Sequence, residues 1–352
     1  MPEPTNTYDA LLVVSFGGPE GPDDVLPFLE NVLRGRNVPR ERMLEVAEHY
    51  QAFGGVSPIN AQVRELIAAL RQEFSTSGLQ LPIYWGNRNW HPLLPDTLRQ
   101  MAKDNVTQAL GFVTSAFSSY SGCRQYRENI EAAQTEVGSQ APAIDKLRMF
   151  YNHPGFVEVM AESAVNALHQ IPPERRANAM LVFTAHSIPQ SMADNCAYVS
   201  QLEESCRLVV EHVRQLMAQQ DSSSWRLVYQ SRSGPPSQPW LEPDVCDDLR
   251  AFRQQGGTDA VVVPIGFLSD HMEVLFDLDT EAAEVGKEIG LNMVRAATAG
   301  THPRFVKMIR ELVEERFYDR PRVAIGDHPP SHDVCPTDCC RYVPRGRPAT
   351  NG

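Results

Sequence analysis

Short apolar runs alternate along the chain with longer segments whose apolar positions recur at helical spacing. Such runs lie at 10–16, 83–86, 109–114, 180–185, 227–230, 260–267 and 293–296, and those at 10–16, 180–185 and 260–267 are nearly continuous in Val, Ile, Leu, Phe and Ala. Runs of that kind read as parallel strands covered on both faces. Amphipathic helical patterns fill 59–74, 123–136, 155–170, 198–219 and 281–289, and a last one covers 304–317. A parallel neighbour is reached only by a long crossover, usually a helix, so this alternation predicts βαβ units and an α/β fold of parallel sheets flanked by helices. The pattern breaks at the segment GSQAPAI, with three strands before it and four after. Two α/β halves follow, at 8–150 and 151–320, and the default binding place is the cleft between them. The halves show no close sequence repeat. Residues 321–352 form a tail rich in Pro, Gly and Asp, which without its cysteines would read as disordered.

The net charge of −12 argues against a general nucleic-acid binder or a protein of anionic membrane surfaces. No apolar stretch approaches the ~20 residues of a spanning helix, and no basic segment precedes the first apolar run. The expectation is a cytoplasmic protein with no integral membrane segment. Seven cysteines in such a chain do not suggest a disulfide framework.

Chemistry gathers where two of the strands end. The run 180–185 leads into His186, Ser187 and, after Ile188, Pro189. The run 260–267 is followed by Asp270, His271 and Glu273. Ligands of open α/β sheets collect at the carboxyl ends of strands, and an imidazole with a carboxylate can bind a divalent metal or move protons. A plainer reading stands beside this one. Asp270 and Glu273 fit a capping box, with Asp270 as N-cap and Glu273 as its reciprocal partner. Glu273, Asp277 and Glu281 then recur at i, i+4 and i+8, an acidic stripe whose like charges repel by a few tenths of a kcal/mol per pair. Gly17-Gly18 is too short for a dinucleotide fingerprint. Ser57 falls near the N-terminus of the helix at 59–74, and Trp85, Trp90 and Trp240 suit either core packing or a flat ligand.

The segments VVSFGGPE, RGR, FGGVSPIN, TAHSIP, YQSRSGPPSQPWL and GFLSDHMEVLFDLD, in this order, resemble the ferrochelatase family from about residue 10 to 317. The resemblance implies two Rossmann-like domains holding a porphyrin in their cleft, and insertion of Fe²⁺ with release of two protons. It makes His186 and Glu273 the catalytic pair, accepting pyrrole protons or ligating the incoming iron, and facing each other across the crevice. Asp270 and His271 would support them and Asp277 would continue the acidic path. Ser57 and Tyr126 match porphyrin contacts, Arg34 and Arg36 lie where guanidinium groups can meet propionates, and Trp240 lines the pocket. Two departures stand out: Phe16 where many relatives carry a metal-touching tyrosine, and Asn87-Arg88-Asn89 where some carry Lys-His.

The physical requirement is independent of the family. A porphyrin hides its lone pairs in the ring plane and carries two N–H protons. Metal entry needs the ring bent, at a strain of ~1–5 kcal/mol offset by binding elsewhere. It also needs a base that titrates near neutrality. Carboxylate and imidazole hold Fe²⁺ reversibly, whereas thiolates would hold it too tightly.

Thiolates do occur, in the tail, as Cys335, Cys339 and Cys340. The lack of a C-x-x-C spacing weakens a zinc reading. Several ferrochelatases carry a [2Fe–2S] cluster near the C-terminus with a fourth cysteine from the N-terminal domain, and the resemblance gives that place to Cys123 rather than Cys196, Cys206 or Cys246. The relatives most similar in architecture are soluble bacterial enzymes acting on coproporphyrin III, so coproporphyrin III and Fe²⁺ are the expected partners, with transient contact with other haem-pathway enzymes as a further expectation. Alternatives are a protoporphyrin IX enzyme, a cobalt or nickel chelatase, and a porphyrin or haem carrier without turnover.

Overall fold

The computed structural model describes residues 7–35, 38–218, 224–235 and 237–342. Among these residues, eight strands form two four-stranded parallel sheets. The first contains β1 (Ala10–Ser15), β2 (Ile83–Asn87), β3 (Gln108–Val113) and β4 (Ala143–Lys146) in the order β2-β1-β3-β4. The second contains β5 (Met180–His186), β6 (Trp225–Gln230), β7 (Asp259–Val263) and β8 (Asn292–Arg295) in the order β6-β5-β7-β8. The helices are α1 (Val25–Val32), α2 (Arg40–Ala52), α3 (Ile59–Ser77), α4 (Leu94–Lys103), α5 (Gln125–Val137), α6 (Pro154–Leu168), the single turns α7 (Pro173–Arg176) and α8 (Gln190–Ala193), α9 (Tyr198–Leu216), α10 (Val245–Gln254), the turn α11 (Met272–Val274), α12 (Ala283–Ile289) and α13 (Pro303–Phe317). Two π-helical segments, Tyr120–Arg124 and Leu275–Ala282, lead into α5 and α12.

The central strands are apolar because both faces are covered. Every residue of β1 and of β7 is buried, and each such Val or Leu is worth about 1.5–3 kcal/mol of burial. Three cores result. One outer core joins the first sheet to α4 and α5, and the other joins the second sheet to α10 and α12. The largest core lies between the sheets. It includes Leu11 and Val13 of β1, Phe183 of β5 and Val261 of β7, together with α3, α6, α9 and α13. The halves therefore share a central layer, in which α13 packs on both α3 and α6. Arg148, just after β4, is buried in it and pairs with Glu315 of α13 at 2.7 Å.

Three differences from the sequence pattern have local causes. Residues 143–146 begin inside the stretch that breaks the pattern, yet they pair with β3. This edge strand is short, with half-buried and exposed residues, so its apolar signal is weak. The run 260–267 leaves the sheet at Pro264, which has no N–H to donate. Gly266 then packs on β5, where a Cβ would meet Ala185 at 2.7 Å. Finally, the tail is docked as far as residue 342: Arg148 donates to the Val323 carbonyl at 2.7 Å, and Ile325 N–H to Asn152 O at 3.0 Å.

Candidate active site and cysteine centre

β5 carries His186 as its last paired residue, opposite Gln230 of β6. The loop after β7 turns over β5 at Gly266 and starts α11. The N-cap of that turn is His271, whose Nδ1 accepts from the Glu273 N–H at 3.2 Å. This corrects the capping box: Asp270 is not the N-cap. The Asp270 backbone instead forms a two-way clasp with Gln62 of α3 (N–H to Oε1 2.8 Å, Nε2 to O 3.1 Å), and its carboxylate pairs with Arg295 at 3.0 Å. Glu273 is thereby left free to serve another purpose.

His186 Nε2 lies 3.8 Å from Glu273 Oε1. Both come from the second half and stand side by side, so the expectation of opposite walls is corrected; a flat ring cannot enter so narrow a gap. The His186 Nδ1 contacts the Ser187 carbonyl at 2.5 Å. A carbonyl only accepts, so Nδ1 carries a proton and Nε2 is the working nitrogen. Burial opposes a charged ring here, but the Glu273 carboxylate, the Ser187 carbonyl and Asp277 outweigh it and raise the His186 pKa. Burial likewise opposes a charged Glu273, yet His186 and His271 hold its pKa down to about 2. His271 is depressed by burial and by His186, which suits an Nδ1 acting as acceptor.

Asp277 is the third group. It accepts from Gln230 Nε2 at 3.1 Å and from the Ser231 hydroxyl. Burial nonetheless lifts it to about 7, with Glu273 and Glu281 adding to the rise. It stands in the π-helical segment. A turn closed i→i+5 holds more than four residues, so Glu273, Asp277 and Glu281 fall close to one line. That line ends at an open depression of about 570 Å³ lined by Asp244, Cys246, Arg250, Glu281, Glu284 and Glu288.

The first half contributes α2. His49 stacks on Phe276 at 4.1 Å, and the Tyr50 hydroxyl is pushed up by burial and by the Glu273 charge. These residues, with Gln62, carry no motif of their own and are legible only in three dimensions, whereas Gln230 and Ser231 fall within the segment YQSRSGPPSQPWL. Trp240 bridges to Pro189 in the loop after His186, and its indole lies on Gly234. Ser57 is buried beside Gly18 and makes no capping bond to α3, whose first turn begins after Pro58. Tyr126 is buried beneath the Arg88 guanidinium at 4.4 Å, which also lies over Phe16 at 5.6 Å. Arg34 is exposed, and Arg36 lies outside the described residues.

A second cluster forms where the tail meets the first half. Cys123, in the π-helical segment before α5, lies beside Cys335. Cys339 and Cys340 have their sulfurs 3.5 Å apart. The Cys123 contact, assisted by Lys146 and His332, holds Cys335 down to about 4, while Cys123 is pushed up. Arg124 donates to the carbonyls of Thr337 and Cys339 at 3.0 and 2.9 Å. Cys123, Cys335, Cys339 and Cys340 thus share one neighbourhood, and Cys196 borders it beside Cys339 and Cys340.

Two parallel sheets with a shared helical layer and an imidazole–carboxylate pair at strand ends define a chelatase-type α/β protein. Its fold resembles SirB from Bacillus subtilis (TM-score 0.51, 11% identity, 89% of this chain and 97% of that one). The family model for ferrochelatase matches residues 8–317. The chain is 58% identical to the ferrochelatase of Rhodopirellula baltica, over 98% of this chain and 97% of the relative. It is 53% identical to the coproporphyrin III ferrochelatase of Streptomyces coelicolor, over 95% and 93%. The chain belongs to the ferrochelatase family, an enzyme family of the lyase class. Among the described residues no helix is long and apolar enough to cross a membrane.

Proposed function

We propose that this enzyme inserts Fe²⁺ into coproporphyrin III, with His186 and Glu273 as the working pair. The observation that carries the reading is their 3.8 Å contact at the mouth of β5, with Asp277 behind them. Nε2 of neutral His186 takes a pyrrole proton, and Glu273 stabilises the imidazolium that forms. Asp277, poised near 7, accepts protons next and hands them along the stripe to Glu281 and the acidic depression. The same stripe attracts Fe²⁺ inward, so two positive charges enter as two protons leave. His271 and Asp270 hold the loop, Trp240 and Ser57 border the macrocycle, and Tyr126 acts through Arg88. Exposed Arg34, with Arg36, meets propionates. The substrate choice is supported by relatives named for coproporphyrin III at 53% and 52% identity. The seven free cysteines suit the cytoplasm, where transient contact with the enzymes before and after it is expected.

The test is anaerobic insertion with coproporphyrin III and protoporphyrin IX, for the wild type and His186→Ala. The expected result is a preference for coproporphyrin III, and a variant that binds the porphyrin but does not metallate it. Preference for protoporphyrin IX would overturn the substrate, and an active His186→Ala would overturn the pair.

We further propose that Cys123, Cys335, Cys339 and Cys340 hold a [2Fe–2S] cluster. Two thiolates on one tetrahedral metal with bonds of about 2.3 Å lie about 3.7 Å apart, and the Cys339–Cys340 sulfurs at 3.5 Å fit one such pair. Cys123 and Cys335 supply the other. Bound there, the cluster would supply a metal-dependent staple between tail and body. An iron-replete, anaerobic preparation without visible sulfur-to-iron absorption would refute it.

A further inference from the structure

We propose that Gln230 and Ser231 are positioning residues for iron insertion: together they hold one carboxylate oxygen of Asp277 as an acceptor and leave the other as the port through which a proton passes. The inference rests on the relay through Asp277 described above. Both donors meet the same atom. Gln230 Nε2 donates to Asp277 Oδ2 at 3.1 Å, and the Ser231 hydroxyl donates to Oδ2 as well. A carboxylate oxygen has two lone pairs, so an oxygen that accepts twice has no place left for a proton. The proton that Asp277 carries therefore sits on Oδ1, which no hydrogen bond from the described residues reaches. Gln230 cannot turn its amide round, because its Nε2 also donates to the Glu273 carbonyl at 3.3 Å, and a carbonyl only accepts.

Two local features are unfavourable for folding and are explained by this role. Gln230 is 1% exposed, yet its Oε1 has no partner. A buried amide left half satisfied opposes folding, and here its two donors are what the site uses. Ser231 is a non-glycine in the left-handed region (φ 60°), and its hydroxyl reaches Asp277 from there. Such backbone strain gathers at functional sites. The frame also extends to the base. Gln230 ends β6 opposite His186, its carbonyl accepts from the Ser187 N–H at 2.8 Å, and the Ser187 carbonyl accepts from His186 Nδ1. One residue thus ties the base to the next proton carrier. The equivalent end of β2 is Asn87, opposite Ser15. Its amide donates to Asn60 Oδ1 and to the His91 carbonyl, so it ties a helix and a loop and meets no carboxylate.

The experiment follows anaerobic iron insertion against pH for the full chain as wild type, Gln230→Leu, Ser231→Gly and Asp277→Asn, with porphyrin affinity read by fluorescence quenching. A hydrogen bond to a carboxylate favours its charged form, so loss of either donor moves the rise of kcat to higher pH, by about one unit. At pH 7 that is a loss of about fivefold, with porphyrin affinity unchanged. The other charged groups that bear on Asp277 are Glu273 and Glu281 along its own stretch of chain and His186 on β5, and the two donor variants leave all three in place. Glycine adopts φ 60° freely, so Ser231→Gly keeps the backbone turn, and a merely structural serine would leave the pH profile where it is. Should Gln230→Leu fail to fold, Ser231→Gly decides alone. If Asp277→Asn removes the rise while the donor variants leave it at the wild-type pH, the positioning role is overturned and the relay stands. If Asp277→Asn keeps the wild-type rise, the relay itself is overturned and this inference falls with it.

Discussion

The two halves are built alike and used differently. Each sheet has the same order, with its first strand flanked by the second and third. After the third strand each half makes the same tight turn, Ser115 N–H to Val113 O and Ile265 N–H to Val263 O, both 2.8 Å. Each then enters a π-helical segment. In the first half that segment presents the thiol of Cys123 to the tail. In the second it presents Asp277 and Glu281 in line with Glu273. The ends of the first strands differ likewise, Ser15-Phe16 in one half and His186-Ser187 in the other. Topology creates equivalent places, and side-chain chemistry decides which becomes a reaction centre and which a sulfur centre.

The sharpest way to break this contrast is to neutralise the carboxylate that stands just before the second half's π-helical segment. Glu273→Gln should lower iron insertion by about 10²–10⁴-fold while fluorescence quenching shows porphyrin still bound; near-normal turnover would move the chemistry elsewhere. Next comes the shared layer. Arg148→Ala strands the buried Glu315 and should cost about 3–5 kcal/mol. Because one core joins the halves, urea unfolding should remain a single transition; two separate transitions would show that the halves stand alone.

A subtler effect concerns Asp277. Its native pKa of about 7 exceeds the ordinary carboxylate value. Between those two values the native state binds more protons than the unfolded state, so this group makes stability fall as pH rises towards 7 and then level off. Asp277→Asn should remove that slope, melting higher than wild type at pH 8, and should flatten the rise of insertion rate through neutrality. The smallest effect belongs to the clasp between halves. Gln62→Ala, which deletes both bonds to Asp270, should cost about 1 kcal/mol and raise KM for iron more than it lowers kcat. A change confined to stability would make the clasp purely structural.

The linear chain by itself determined the alternation of buried strands and amphipathic helices, because full burial of a parallel strand demands an uninterrupted apolar run. It also determined that His186 and Glu273 follow such runs. Tertiary structure alone decided that the pair stands side by side, that His271 rather than Asp270 caps the turn, and that Asp277 titrates near neutrality. It alone brought Tyr50, Gln62 and His332 to these centres. The physical reason is one of range: burial patterns are written locally in residue order, whereas pKa shifts, helix caps and donor sets depend on neighbours that only the folded chain brings within a few ångströms.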